Sequence, residues 1–256
     1  MDIRFLGAHN CESQSTRPVT LLIDDALALD AGGLTSGLSL AAQQGLKAVL
    51  LTHHHYDHIR DIPLLAMGLF LSGDTIDIYA PRAVYDALAE HLLNGRLYPD
   101  FLARPQEGPA VNFTVIKPYR EERIGGYTIL AVPVNHGVPA VGYQVRAADG
   151  KALFYTGDTG PGLAECWERV SPQLLIIEVT ASDRYRDWAA EAGHLTPGLL
   201  KEELAGFRKL KGYLPRVITV HMNPMLEGEI AAELGAVARD MDTPISLAGE
   251  GMEVRL

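Results

Sequence analysis

The chain has 256 residues, of which 47% are hydrophobic and 21% charged, and its formal net charge is −10. This composition excludes a disordered chain and a fibrous repeat, and no apolar run reaches the roughly 18–20 residues that span a bilayer. The 32 acidic side chains outnumber the 22 basic ones. That balance disfavours the binding of long polyanions such as nucleic acids, but it permits a small anion held by metal ions.

Two cysteines, Cys11 and Cys166, provide neither a disulfide framework nor the spacing of a zinc finger. The start of the chain, MDIRFLGA, lacks the basic and apolar regions of a secretory signal peptide. The length fits one large domain. We therefore expect a single domain over residues 1–256 in a reduced, cytoplasmic, soluble protein that does not enter a membrane.

Short apolar runs separated by polar turns predict the elements of the first half of the chain. Runs rich in β-branched residues are expected to form strands, and two aspartates at 24 and 25 are expected to form a hairpin turn. The expected strands are Ile3–Leu6, Val19–Ile23, Leu27–Leu29, Lys47–Thr52 and Ile76–Tyr79, and the expected helices are Ser39–Gly45, Ile59–Ser72 and Arg82–Leu93.

Residues 94–110 are rich in Gly, Pro and Arg and show no periodicity, which predicts a long functional loop or lid. In one interpretation Tyr98 or Phe101 stacks on a base while Arg96 or Arg104 meets a phosphate. In the other, which we prefer, the two aromatic side chains anchor the loop to the body of the domain.

The second half continues with strands first and then alternates strands with helices. The expected strands are Asn112–Ile116, Tyr127–Val132, Ala140–Val145, Ala152–Tyr155, Leu174–Glu178 and Val217–Val220, with helices Leu163–Val170, Pro197–Leu210 and Glu227–Met241 and a closing strand pair Ile245–Leu247 and Met252–Arg255. This order predicts an α/β fold in which two β-sheets pack together with helices outside.

A histidine-rich segment, HHHYDH, follows directly after the apolar strand Lys47–Thr52. Because side chains at i and i+2 of an extended chain point the same way, we expect His53, His55 and Asp57 to converge. His58 would follow at the start of a helix. Imidazole and carboxylate groups are ligands of zinc-class divalent ions, so the segment predicts a metal site.

Three further ligand-type residues, His136, Asp158 and His221, each follow a predicted strand. A single histidine at a strand end is as often structural as functional, but four strand ends with such residues form a much stronger pattern. The seven residues suit two metal ions about 3.5–4 Å apart, with Asp158 as the bridging carboxylate. Zinc is the first expectation, and manganese and iron accept the same donors.

In the order LDAGG, HHHYDH, His136, GDT and His221, the chain resembles the metallo-β-lactamase superfamily over essentially its whole length. The resemblance implies an αββα sandwich in which a hydroxide bridges two metal ions and attacks the substrate. It also implies that Asp30 supports the ligands from behind. The implied ligands of one ion are His53, His55 and His136, those of the other are Asp57, His58 and His221, and Asp158 belongs to both.

Two further segments, Leu175–Thr180 (LIIEVT) and Gly193–Pro197 (GHLTP), resemble the phosphodiesterase branch of that superfamily. The resemblance implies that His194 binds the phosphate and protonates the leaving oxygen while Glu178 holds its tautomer, with Asp57 also catalytic. Such a proton is useful because an alkoxide is a poor leaving group. Thr196 is expected to contact the substrate. The plain interpretation of GHLTP is that Thr196 caps the following helix, and it is compatible with the role of His194, which capping does not use.

Within the branch, GHLTP followed by LLKEEL, and VITVHMNP followed by EIAAEL, resemble class II cyclic-nucleotide phosphodiesterases. Residues 59–135 contain seven basic and nine acidic residues, so they lack the basic arm of tRNase Z. The resemblance therefore favours hydrolysis of 3′,5′-cyclic nucleotides to 5′-nucleotides and, by family likeness, a homodimer.

Other functions stay open at this point. The alternatives are a tRNase Z-like ribonuclease and a hydrolase of another small phosphodiester, a thioester or a lactam. A metal-binding sensor without catalysis is the least favoured hypothesis, because it predicts a broken ligand set and all seven ligand positions are filled.

Overall fold

Two β-sheets form the centre of the molecule in a computed structural model that describes residues 1–106 and 108–256. Within these residues each sheet has seven strands. The first sheet has the order β14 (Glu253–Arg255), β1 (Asp2–Gly7), β2 (Thr20–Ile23), β3 (Leu27–Leu29), β4 (Ala48–Leu50), β5 (Ile76–Ala80) and β6 (Val111–Val115). The second has the order β13 (Ile245–Leu247), β12 (Arg216–Val220), β11 (Leu174–Glu178), β10 (Ala152–Tyr155), β9 (Val141–Arg146), β8 (Tyr127–Pro133) and β7 (Glu121–Ile124).

Helices cover the outer faces of both sheets. In chain order they are α1 (Leu34–Gly37), α2 (Leu40–Gly45), α3 (Tyr56–Ile59), α4 (Ile62–Ser72), α5 (Arg82–Ala87), α6 (Ala164–Arg169), α7 (Arg186–Ala192), α8 (Pro197–Lys211) and α9 (Glu227–Met241). A π-helical turn, Leu88–Leu92, continues α5, and a 3-10 turn, Asp183–Tyr185, precedes α7. No helix among the described residues is both long and apolar enough to cross a membrane.

Three apolar layers hold these elements together. The inner layer lies between the sheets, where Phe5 and Leu21 of the first sheet belong to one cluster with Tyr143 and Tyr155 of the second. The two outer layers pack the helices on the opposite faces of the sheets. The predicted αββα sandwich is therefore confirmed, and it follows from strands that are buried on both faces.

The strand boundaries follow the apolar runs closely, but the end of the chain differs from our prediction. The last two strands do not pair with each other: β13 pairs with β12, and β14 pairs with β1. The closing segment thus crosses from one sheet to the other. Pairing partners over long sequence distances cannot be inferred from an apolar run, because the run shows burial but not the neighbour.

Other differences concern short elements. The predicted helix Ile59–Ser72 begins later, as α4 at Ile62, because Pro63 occupies its first turn, and a separate short helix, α3, ends at Ile59. The strand β7 and the helices α1 and α7 were not predicted. They are short, and β7 is largely exposed, so none carries a strong apolar period.

The predicted lid segment has neither helix nor strand over its described residues, 94–106 and 108–110, while residue 107 lies outside them. Phe101 is only 2% exposed, and its ring centroid lies 5.4 Å from that of Phe70 of α4. Tyr98 packs against the same apolar cluster. The aromatic side chains therefore anchor the loop, as we preferred, and a lid function stays a prediction.

Gly142 of β9 lies close to the neighbouring strand β10, and this close approach leads to a prediction about stability. A Cβ at Gly142 would lie 2.6 Å from Phe154 Cζ and 2.8 Å from the Tyr155 carbonyl oxygen. Overpacking of this kind costs about 1–3 kcal/mol, so we expect Gly142→Ala to lower the free energy of unfolding by that amount. Denaturant unfolding measures the change.

The matched control is Gly206→Ala within α8, where a Cβ would meet no atom within 4 Å. Alanine in a helix interior is favoured over glycine by roughly 0.5–1 kcal/mol, so this variant should be slightly more stable than the parent. Equal effects of the two substitutions would contradict the packing derived for β9.

Candidate metal centre

Seven ligand-type side chains from both sheets meet at one edge of the sandwich. The potential ligand atoms of His53, His55, His136 and Asp158 all lie within 4.8 Å of one another, and so do those of Asp57, His58 and His221. Asp158 lies between the two groups: its Oδ2 is 3.7 Å from His53 Nε2 and 3.3 Å from His221 Nε2, and its Oδ1 is 3.2 Å from His58 Nε2. The geometry thus brings together all seven residues predicted from the sequence.

One part of the sequence argument was wrong. Asp57 does not converge with His53 and His55, although the i, i+2 alternation predicted this. The extended chain ends at His55, which precedes the first residue of α3, and the helical turn carries Asp57 to the other group beside His221. Strand alternation fails where the backbone changes to a helix.

The neutral tautomers of four histidines follow from the partners of their Nδ1 atoms. Nδ1 of His53 donates to Thr52 Oγ1 at 3.0 Å, and Nδ1 of His58 donates to Asp30 Oδ2 at 2.8 Å. Nδ1 of His136 donates to the Gly193 carbonyl oxygen at 2.8 Å, and Nδ1 of His221 donates to Thr180 Oγ1 at 2.8 Å. In the neutral ring each Nε2 then carries a lone pair that faces the carboxylate of Asp158.

The Nε2 lone pairs and the carboxylate oxygens of Asp158 are all hydrogen-bond acceptors, and they face one another. Nε2 of His53, Nε2 of His58 and Oδ1 of Asp158 are buried and make no hydrogen bond within the described residues. Burial and the neighbouring His58 hold the pKa of His53 well below its ordinary value, which keeps that ring neutral. Buried lone pairs of this kind are costly unless a cation satisfies them. The donor set therefore fits divalent metal ions, as the sequence predicted.

Asp30 supports two of the predicted ligands, one from each group. Its side chain is fully buried and accepts hydrogen bonds from the backbone N–H of Thr52 at 2.8 Å and from the hydroxyl of Tyr155 at 2.7 Å. It also accepts from His58 and from the Thr52 hydroxyl, which in turn accepts from His53. One carboxylate thus orients two of the predicted ligands, directly or through a threonine.

Glu178 supports His221 in the same way and also holds His194. It is fully buried, and its Oε2 accepts a 2.7 Å hydrogen bond from the hydroxyl of Thr180, which itself accepts from His221. Its Oε1 lies 2.6 Å from Nδ1 of His194. Burial lowers the pKa of His194, but the charge and hydrogen bond of Glu178 outweigh it and raise the pKa to about 9.

His194 occupies the mouth of the site on the segment between α7 and α8. Its ring stacks on that of His221, with centroids 5.5 Å apart and planes 16° apart. It is also within reach of Asp158 and His221 as a third group of ligand-type atoms. The preceding Gly193 has a φ of +78°, and a Cβ there would lie 3.0 Å from the Cα of His136, so the close approach needs glycine.

Thr196 has a different environment from the one that we expected. It is fully buried, and its hydroxyl accepts from the backbone N–H of Leu199 at the start of α8. The capping role is therefore confirmed. The predicted contact with substrate does not fit a side chain without exposed surface, so we leave Thr196 out of the binding site.

Sequence reasoning missed Thr52, Thr180 and Tyr155 as supports of the site. A signal for the threonines was present: each ends or closely follows an apolar strand, in KAVLLT and in LIIEVT. A hydroxyl at the end of a buried strand needs a hydrogen-bond partner, and a neighbouring carboxylate or imidazole provides one. Nothing in the sequence pairs Tyr155 with Asp30, because the contact joins the two sheets.

The family described as Beta-lactamase superfamily domain matches residues 29–222, and the chain belongs to this family. A 3′,5′-cyclic-nucleotide phosphodiesterase of Candida albicans is 27% identical over 92 residues, which are 36% of this chain and 21% of that protein. A ribonuclease Z of Methanosarcina acetivorans is 25% identical over 261 aligned residues, covering 81% of this chain and 85% of that protein.

The crystal structure of unliganded yeast PDE1 shows the same fold, with a TM-score of 0.82 at 17% identity over 100% of this chain and 99% of that one. The superfamily and the fold predicted from the sequence are confirmed by these matches. The relatives named above, a phosphodiesterase and a ribonuclease, are hydrolytic enzymes. The fold and the donor set together imply divalent metal ions.

The link from Glu178 through Thr180 to His221 generates a prediction. Thr180→Val keeps the shape but removes the hydroxyl, which leaves His221 Nδ1 without its acceptor. Loss of such a support costs about 10–100-fold in metal affinity. Competition with a chromophoric chelator measures this affinity.

The control is Thr219→Val, a buried threonine of β12 whose hydroxyl donates to the Ser246 carbonyl oxygen at 3.4 Å. We expect its metal affinity to match that of the parent. A Thr180→Val protein that binds metal as tightly as Thr219→Val would show that the threonine does not support the ligand.

Proposed function

We propose that the protein is a metal-dependent phosphodiesterase that hydrolyses 3′,5′-cyclic nucleotides to 5′-nucleotides. The observation that carries the proposal is the pair formed by His194 and Glu178, 2.6 Å apart, beside a cluster of seven metal-binding residues. In this proposal His53, His55 and His136 hold one ion, Asp57, His58 and His221 hold the second, and Asp158 belongs to both. Zinc is the expected metal.

Two divalent ions at these ligands would supply an activated water and neutralise the charge of the phosphate. The protein's own residues then have separate tasks. Asp30 and Thr52 orient His58 and His53, and Glu178 and Thr180 orient His221. Burial of these supports excludes water from behind the ligands, which preserves their orientation.

His194 is suited to the departing oxygen. Its Nδ1 is held by the carboxylate of Glu178, so its Nε2 is free to carry the proton that the leaving group needs. Only 15% of its side chain is exposed, which is enough for contact with a substrate at the mouth of the site. Ring opening of a cyclic phosphodiester expels a ribose alkoxide, whose departure requires such an acid.

A tRNase Z-like ribonuclease is the second candidate, supported by the alignment with the archaeal ribonuclease Z over 81% of this chain. The charge of the chain disfavours it. Ten more acidic than basic residues give weak electrostatic attraction for a long polyanion, whereas a cyclic nucleotide has a single phosphate charge. A homodimer, a cytoplasmic location and a single domain over the whole chain stay predictions.

The first test is hydrolysis of 3′,5′-cyclic AMP by the metal-loaded protein, with chromatography of the products. We expect 5′-AMP from the parent and none from Asp158→Ala, because that variant removes the carboxylate shared by both groups. Asp149→Ala, an exposed carboxylate in a turn, should retain the parent's activity. Turnover by Asp158→Ala at the parent's rate would refute the metal mechanism, and an inactive parent would refute the substrate.

The second test separates the acid from the metal ligands. We expect His194→Ala to retain the parent's metal content and to lose about 10²–10⁴-fold in kcat on the cyclic nucleotide. With bis(4-nitrophenyl) phosphate, whose leaving group departs without a proton, the loss should be much smaller. His91→Ala, an exposed histidine on the π-helical turn, is the control. Equal losses on the two substrates would exclude the acid role.

A further inference from the structure

A second cavity opens beside His194, outside the cluster of metal-binding residues. It has a volume of about 480 Å³ and is lined by Asn10, Thr180, Ala181, Arg184, Tyr185, Trp188, Asn223, Met225 and Leu226. We call it the Trp188 pocket. Thr180 belongs both to this pocket and to the support of His221, so the pocket and the metal centre share a wall.

Trp188 of α7 forms the aromatic surface of the pocket. Its side chain is 55% exposed, which is unusual for a large apolar residue next to a site. The ring lies nearly parallel to that of His194, with centroids 6.4 Å apart and planes 24° apart. The aromatic surface of the pocket therefore adjoins the proposed proton donor.

Tyr185 adds a second exposed ring, 41% exposed, and the guanidinium of Arg184 lies 4.8 Å from its centroid. Arg184 is also 3.2 Å from a carboxylate oxygen of Glu229, so its charge is already compensated. Met225, which is 92% exposed, stands on the rim of the pocket. The lining thus combines aromatic and apolar side chains with amide and hydroxyl groups and an arginine that pairs with Glu229, which suits a planar group with polar edges.

Asn10 provides the polar contact. Its Oδ1 is buried and accepts no hydrogen bond within the described residues. The backbone N–H of Asn10 donates to the Met222 carbonyl oxygen, which fixes the position of the residue. A buried acceptor without a donor is costly, and such atoms are rare unless a ligand or water satisfies them. The amide offers an acceptor and two donors side by side, which matches the amino group and ring nitrogen of an adenine-type base.

From these contacts we propose that the Trp188 pocket binds the nucleobase of the substrate. The base stacks on Trp188, and the side-chain amide of Asn10 recognises its exocyclic amino group. This inference rests on the proposed function, since it places the base beside a phosphodiester held at the metal centre. It adds a preference for nucleotides with an amino-substituted base over those with an oxo group at that position.

Fluorescence tests the pocket without reference to catalysis. The chain has two tryptophans, and Trp167 is buried while Trp188 is exposed, so a ligand in the pocket quenches mainly Trp188. We expect saturable quenching of the metal-loaded protein by adenosine 5′-monophosphate but not by ribose 5-phosphate. The quenching should disappear in Trp188→Phe. Equal quenching by both compounds, or quenching that persists in Trp188→Phe, would overturn the proposal.

The stacking contact can be tested with the ratio of two kcat/KM values, because damage that affects both substrates alike leaves this ratio unchanged. For the parent, kcat/KM on 3′,5′-cyclic AMP should exceed that on the base-free ribose 3,5-cyclic phosphate. Stacking of a base on an aromatic side chain typically accounts for about tenfold or more, so Trp188→Ala should lower this ratio about tenfold. Trp188→Phe should restore most of it.

The control is Leu210→Ala, which removes a half-exposed apolar side chain from α8. It should leave the ratio unchanged. For Asn10→Ala we expect the preference for cyclic AMP over cyclic IMP, which has an oxo group instead of the amino group, to fall about tenfold.

The two proposals fail in different ways. Quenching of Trp188 by adenosine 5′-monophosphate without any cyclic-nucleotide turnover would retain the pocket and refute the proposed function. Turnover of cyclic AMP with an unchanged selectivity ratio in Trp188→Ala would retain the proposed function and refute the pocket.

Discussion

A single buried carboxylate, that of Asp30, joins the two sheets at the point where the site is built. It follows β3 in the first sheet, and the hydroxyl of Tyr155 at the end of β10 in the second sheet donates to it. Thr52 and His58 donate to the same two oxygens. A buried charge is tolerated only when donors surround it, so the sheets and the ligand segment must keep their relative positions.

Glu178 repeats this principle in the second half of the chain. It accepts from His194 and Thr180 and also from the backbone N–H groups of Thr159 and Leu195, which follow Asp158 and His194. Each half therefore has one buried carboxylate and one threonine that hold a histidine by its Nδ1. The two halves differ in that Glu178 additionally holds His194, the histidine that faces the mouth.

The metal centre and the Trp188 pocket beside it differ in chemical character, and this difference limits the substrates that fit both. The cluster itself has histidines and carboxylates, which attract cations and through them a phosphate. The Trp188 pocket next to it is lined by aromatic and apolar side chains, by amide and hydroxyl groups, and by Arg184, which pairs with Glu229. A ligand that satisfies both is a compact anion attached to a flat apolar group. Together with a net charge of −10, this is the basis on which we propose a small nucleotide rather than a long nucleic acid as substrate.

The sequence by itself predicted two packed β-sheets with helices outside and the seven residues of the candidate metal cluster, while the superfamily came from the resemblance of its motifs and is shown by the family match. It could do so because strands buried on both faces form uninterrupted apolar runs, and because ligands placed at strand ends are visible as polar residues that follow them. Residues close together in sequence, such as those of HHHYDH, could also be assigned to a site without coordinates. Within HHHYDH, the assignment of Asp57 by strand alternation failed, because the helix α3 begins there.

The tertiary structure decided the contacts between residues far apart in sequence. The hydrogen bond from Tyr155 to Asp30, the crossing of the last strands to different sheets and the stacking of Trp188 on His194 all depend on how separate segments pack. Apolar periodicity shows that a side chain is buried but does not show which neighbour it meets. For that reason the ligands were evident from the sequence, whereas their supports and the aromatic pocket beside them required the folded chain.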